Sequence, residues 1–180
     1  MKSLVSAAAS VFVVCACASS PRPDHTDVIP ASVARADATR LVGTWRLVSF
    51  ESRLTGGEIR YPMGRDVAGQ LIYDELGNVS AHIMDPSRPA FASGDRAAGT
   101  EAEVRKAFVG YLAYYGTYDV DAARGTVTHL IKGASFPNWI GRDQVRNYRL
   151  DGARLTITTP PIRAGGEDLI TVLVWERAGQ

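Results

Sequence analysis

The chain has 180 residues, which suits one domain with a single core by the usual measure of ~100 to 200 residues per domain. Lys plus Arg number 20 against 19 Asp plus Glu, a net charge of +1 with the basic residues dispersed, which excludes a nucleic-acid binder held by phosphate neutralisation. At 46% hydrophobic and 22% charged, the composition also excludes wholesale disorder and a polytopic membrane protein.

Met1 and Lys2 precede a mostly apolar run from Leu4 to Ala16, too short for a helix that must cross ~30 Å of hydrocarbon. It is predicted to be a secretory signal, and no later stretch approaches the ~20 apolar residues of a membrane span. Both cysteines, Cys15 and Cys17, lie here, so no disulfide is expected in the domain. Val14-Cys15-Ala16-Cys17 resembles a bacterial lipobox, which predicts a signal over 1–17 and lipidation of Cys17 as the new N-terminus. The alternative is ordinary cleavage after the small-x-small sequence Ala16-Cys17-Ala18. Because Ala18 is not Asp, resemblance to Gram-negative lipoproteins implies a periplasm-facing outer-membrane lipoprotein rather than an inner-membrane one. Residues 18–40, with Pro21, Pro23 and Pro30 and no sustained period, read as an extended tether.

Residues 41–180 read as an all-β domain. Short β-branched and aromatic runs between Gly, Asp, Asn and Pro predict strands at Thr44 to Glu51, Glu58 to Tyr61, Ala68 to Tyr73, Val79 to Met84, Gly116 to Val120, Thr126 to Ile131, Gln144 to Leu150, Leu155 to Thr158 and Leu169 to Glu176. Turn-like links such as Asp74 to Asn78 and Asp151-Gly152 make neighbours antiparallel. One helix is expected mid-chain, where Thr100 and Glu103 have capping-box spacing. Val104, Phe108, Tyr111 and Leu112 would lie on one face of it, packed on the sheet or closing one end. Eight or nine consecutive strands most simply remove their edges by closing into an up-and-down barrel.

Several motifs carry a family resemblance. Leu41-Val42-Gly43-Thr44-Trp45 opens the first strand with Gly-x-Trp, and Trp175-Glu176-Arg177 supplies a late arginine, a pairing that resembles the lipocalin and calycin group. Tyr115-Gly116-Thr117-Tyr118, Thr126 to His129, Pro137 to Gly141, Gln144-Val145-Arg146 and Leu155 to Pro161 are similar, in that order, to the bacterial lipocalin-like domain family. The resemblance runs from about Leu41 to Arg177 and implies a small β-barrel, with Arg177 set against Trp45. It departs from the usual lipocalin layout in its mid-chain helix and in lacking a disulfide, so a retinol-type ligand is not implied.

A barrel of ~8 strands either fills with its own side chains or holds one small guest. Val127, His129 and Ile131 share a face, which makes His129 either a satisfied core histidine or a ligand contact. Gln144, Arg146, Tyr148 and Leu150 share another. If that face is inward, Arg146 favours an acidic or carbonyl-bearing apolar ligand; if outward, Arg146 is an ordinary surface cation. Tyr115, Tyr118 and Trp139 complete the candidate ligand-binding set, from an aromatic cluster with Tyr111 and Tyr114 that also suits plain packing. His82 and Met84 could join His129 if their face is inward. Trp45 is expected to plug the closed end.

His25, His82 and His129 are far apart and form no zinc spacing, so no metal or cofactor is expected. Gly-x-Ser-x-Gly and a phosphate loop are both absent. The leading expectation is a lipid-anchored envelope barrel that binds a small apolar or amphipathic molecule, touching the membrane only through its N-terminal lipid. Two alternatives stay open. One is a cofactor-free isomerase or cyclase using His129 with Arg146 or a tyrosine; the other is an assembly protein with a filled barrel. The sequence leaves the oligomeric state undetermined.

Overall fold

A computed structural model describes residues 38–164 and 166–179. The predicted signal, the lipobox-like run with Cys17 and most of the predicted tether lie outside the described residues. The strands are β1 (Gly43–Leu54), β2 (Ile59–Arg60), β3 (Ala68–Tyr73), β4 (Asn78–Met84), β5 (Tyr111–Asp121), β6 (Thr126–Ala134), β7 (Asp143–Asp151), β8 (Arg154–Thr158), β9 (Ile162–Ala164) and β10 (Glu167–Arg177). Helix α1 (Glu101–Val109) falls between β4 and β5. A short 3-10 helix, Pro137–Trp139, joins β6 to β7.

All pairings are antiparallel, and the sheet closes because β1 pairs with β3 on one side and with β10 on the other. Eight strands form the closed wall, while β2 and β9 extend it at one end along β1 and β10. Closure leaves no long unpaired edge in the wall, which is the physical advantage the strand pattern anticipated. Two irregularities help the sheet curl: a register shift in β1 between Leu47 and Ser49, and another between Tyr115 and Gly116 of β5 against β6.

Gly116 shows why that second site takes glycine. A Cβ there would stand 2.0 Å from the backbone oxygen of Leu130. The close approach of the two backbones excludes any side chain.

One end of the barrel is filled. Leu41, Trp45, Tyr73, Val79, Val127 and Leu155 are each at most 2% exposed. Trp45 donates its Nε1–H to the Leu41 carbonyl at 2.9 Å, tying the helical residues 38–41 to the start of β1. The last residues of the predicted tether are therefore part of the folded domain.

The helix differs from expectation in length and role. Its capping box forms: Thr100 accepts from the Glu103 amide, and Glu103 accepts from the Thr100 amide at 2.7 Å. It ends at Gly110, so Tyr111 and Leu112 belong to β5. None of its residues is buried, and Val104 and Phe108 remain about half exposed, so its apolar face does not form part of the core.

Candidate functional site

Strand alternation decides what the barrel encloses. On β5, Leu112, Tyr114, Gly116, Tyr118 and Val120 share the inward phase; on β6, Val127, His129 and Ile131 do so; on β7, Gln144, Arg146, Tyr148 and Leu150. The sequence left the phase of β7 undetermined, and the structure turns Arg146 inward.

Between the packed end and the end bearing the 3-10 helix lies a cavity of about 600 Å³. Its wall is mostly apolar, with Phe50, Leu71, Ile83, Leu112, Leu173 and Trp175 among its lining. Polar groups enter it from Tyr114, Gln144, Arg146, Thr159 and Thr171. Phe136 and Trp139 stand on one side of its mouth, and Ile162 and Arg163 of β9 on another. Trp139 packs edge-on against both Tyr114 and Phe136, with ring centroids 5.9 Å apart in each pair.

The polar interior is a connected chain. His129 is 1% exposed, and its two ring nitrogens meet two phenols: Nε2 lies 2.7 Å from the Tyr73 hydroxyl and Nδ1 2.9 Å from the Tyr114 hydroxyl. Burial, and secondly the Arg146 cation, push the His129 pKa down to about 3, so the ring is neutral at physiological pH. Burial raises Tyr114 to about 12 and Tyr73 well above its ordinary value. Both phenols therefore stay protonated.

Arg146 donates to its neighbour's carbonyl, Val145 O, and to Gln144 Oε1, each at 2.9 Å. Burial pulls its pKa down, yet an arginine this far above neutrality stays a cation. No carboxylate pairs with it among the described residues.

The predicted site residues divide into three groups. Gln144, Arg146 and Trp139 line the cavity. His129, Tyr118 and Tyr148 point into the barrel but do not line it: His129 sits behind Tyr114, Tyr118 donates to the Asp74 carbonyl at 3.0 Å, and Tyr148 packs on the core. Tyr115 requires correction. It is 61% exposed on the outer wall, lying over Gly133, because it is out of phase with Tyr114 and Tyr118. His82 is likewise outside, its Nδ1 2.7 Å from the Tyr111 hydroxyl, since Val79, Ala81 and Ile83 take the inward phase of β4.

The sequence reading placed Tyr114 in an aromatic cluster suited to a pocket mouth or to plain packing; the alternation that turns Tyr118 inward turns Tyr114 with it, onto the cavity wall. It missed Thr159 and Thr171; the Thr171 amide of β10 donates at 2.8 Å to the Oγ1 of Thr159, the residue that follows β8. No group of three or more His, Cys, Asp or Glu is placed to hold a metal among the described residues. No helix among them is long and apolar enough to cross a membrane.

A closed eight-strand antiparallel wall around an apolar-lined cavity defines a lipocalin-like barrel. The chain belongs to the lipocalin-like domain family, whose model matches residues 42–178. It is 31% identical over 106 residues to a 4'-hydroxy-3'-methoxypropiophenone carrier protein from Aspergillus oryzae, an alignment that covers 55% of this chain and 96% of that one. Among solved structures, a polyisoprenoid binding domain from Saccharophagus degradans aligns over 74% of this chain and 94% of its own. The identity is 11% and the TM-score 0.30, too slight for a functional argument.

Proposed function

We propose that the protein is an exported carrier that holds a small apolar or amphipathic molecule inside its barrel, anchored to the cell envelope through lipid on Cys17. The cavity of about 600 Å³ within the closed wall carries this reading. Its size and its apolar lining with a few convergent polar groups are those of a small-molecule site. The relative from Aspergillus oryzae, a carrier by its name, takes an aromatic ketone with hydroxy and methoxy groups. That molecule has the mixture of flat apolar body and acceptor oxygens that this cavity suits.

The anchor is read from the sequence. The lipobox-like Val14 to Cys17 run and the proline-bearing stretch after it would let the barrel stand off a bilayer while its cavity exchanges guests.

Native mass spectrometry of the purified protein after exposure to a total lipid extract tests the carrier function. The expected result is a 1:1 adduct with a small amphipathic molecule that survives gentle desolvation. A protein that emerges free of any adduct would overturn the reading.

A further inference from the structure

The hydrogens of the Tyr73, His129 and Tyr114 chain can run in only one direction. Tyr73 is 1% exposed, and among the described residues its hydroxyl has one partner, His129 Nε2. A phenol that accepts from an N–H must still place its own hydrogen, and Tyr73 has nowhere else to send it. Nε2 is therefore the accepting nitrogen, and the neutral ring carries its proton on Nδ1. That N–H donates to the Tyr114 oxygen. The Tyr114 hydrogen then has no acceptor among the described residues, and of the three rings it is Tyr114 that lines the cavity. The opposite direction would bury the Tyr73 hydrogen without an acceptor.

Other polar groups around the cavity also offer hydrogens. Arg146 donates to one lone pair of the Gln144 amide oxygen, and the Gln144 NH2 adds donor hydrogens beside it. Among the described residues, no Asp or Glu lines the cavity. A space rich in donors, beside a cation that no carboxylate neutralises among the described residues, is matched by a guest that brings an anion.

We propose that the guest is an apolar monocarboxylate, its carboxylate accepting hydrogen bonds from Tyr114 and Arg146 and its body lying against Leu71, Leu112 and Leu173. This rests on the carrier reading above and gives that site its ligand class. Tyr73 and His129 act as positioning residues: they hold Tyr114 as a donor without touching the guest.

Fluorescence titration of the full chain with cis-parinaric acid and with its methyl ester separates the two claims. The acid is expected to bind at least ~10-fold more tightly than the ester, a preference that Tyr114→Phe and Arg146→Gln each reduce by ~5-fold or more, because the acid loses more than the ester does. Tyr73→Phe is expected to lower the same ratio, because nothing then fixes the proton on Nδ1. Equal affinity for acid and ester would overturn the carboxylate assignment and leave the carrier reading standing. If neither probe binds, both fail. Nitrogen-15 spectra of the His129 ring give a readout that packing alone would not move: a proton on Nδ1 is expected, and a proton on Nε2 would overturn the assigned direction.

Discussion

The guanidinium carbon of Arg177 lies 4.2 Å from the ring centroid of Trp45, while its Nη1 donates to the Val42 carbonyl at 2.7 Å and its Nη2 to the Arg40 carbonyl at 2.5 Å. The last strand thus clamps the first, over the filled end of the barrel. Gly43 belongs to the same arrangement: its φ is +135°, and a Cβ there would stand 2.5 Å from Arg177 Nη1. The Gly-x-Trp pattern is a space for an arginine followed by the ring that it covers.

Arg177→Ala removes a cation over an aromatic face and two charge-assisted hydrogen bonds, with an expected cost of about 2 to 4 kcal/mol. Urea unfolding checks this. Arg177→Lys is expected to recover only a minor part, since an ammonium cannot stack on the ring and reach both carbonyls in one plane. Neither residue lines the cavity, so guest affinity below the unfolding transition should not change.

Acid stability follows from His129. Its folded pKa of about 3 lies below the ordinary 6.5, so on acidification the unfolded chain takes up this proton first. The stabilisation is complete above about pH 7, begins to fall as pH drops through about 6.5, and continues to fall until about pH 3. Between about pH 8 and pH 5 the loss is on the order of 2 kcal/mol. The exposed carboxylates that hydrogen bonds hold low, such as Asp74 and Glu103, contribute only at lower pH. Urea midpoints across this range are expected to decline for the wild type. His129→Gln should be less stable throughout but nearly flat between pH 8 and pH 5.

Gly116→Ala tests the crowding of β5 against β6. With the Leu130 oxygen in the way, the backbone must separate, at an expected cost of about 3 kcal/mol. The shift should reach Tyr114 two residues away and weaken guest binding as well. Thermal melts and probe titration together check this, and a variant as stable as the wild type would show that the two strands can part at little cost.

Cys17→Ser tests the anchor. The wild type is expected to partition into detergent and to label with a radioactive fatty acid, and the variant to do neither. A wild-type protein recovered entirely in the aqueous phase would remove the anchor and leave the barrel reading intact.

The strands were legible because each alternates in sequence and is bounded by turn residues, as Ala68 to Tyr73 and Val79 to Met84 show. The start of β5 was not. Phe108, Tyr111 and Leu112 continue a helical period past Gly110, and only the pairing of Tyr111 with Met84 reveals that the chain is already extended there. That hidden boundary obscured the phase of the strand. Tyr115 and Tyr118 are three residues apart and must lie on opposite faces of a regular strand, so both could not line one cavity. The short β9 was missed because three residues after Pro160-Pro161 give no period to read. The inward turn of Arg146 was invisible for a further reason: a strand with polar residues on both faces has no pattern that says which one is buried.

The most direct test of the central claim, that the barrel carries its guest inside, is to fill the cavity with protein. Leu173 lines it, and Leu173→Trp would place an indole in the space the guest requires. Titration with N-phenyl-1-naphthylamine, a neutral apolar fluorophore, is expected to show saturable 1:1 binding to the wild type. The folded variant should bind ~10-fold or more weakly, a loss of about 1.4 kcal/mol or greater, at an unchanged urea midpoint. Equal affinity in a folded Leu173→Trp protein would place the bound molecule elsewhere and contradict the account.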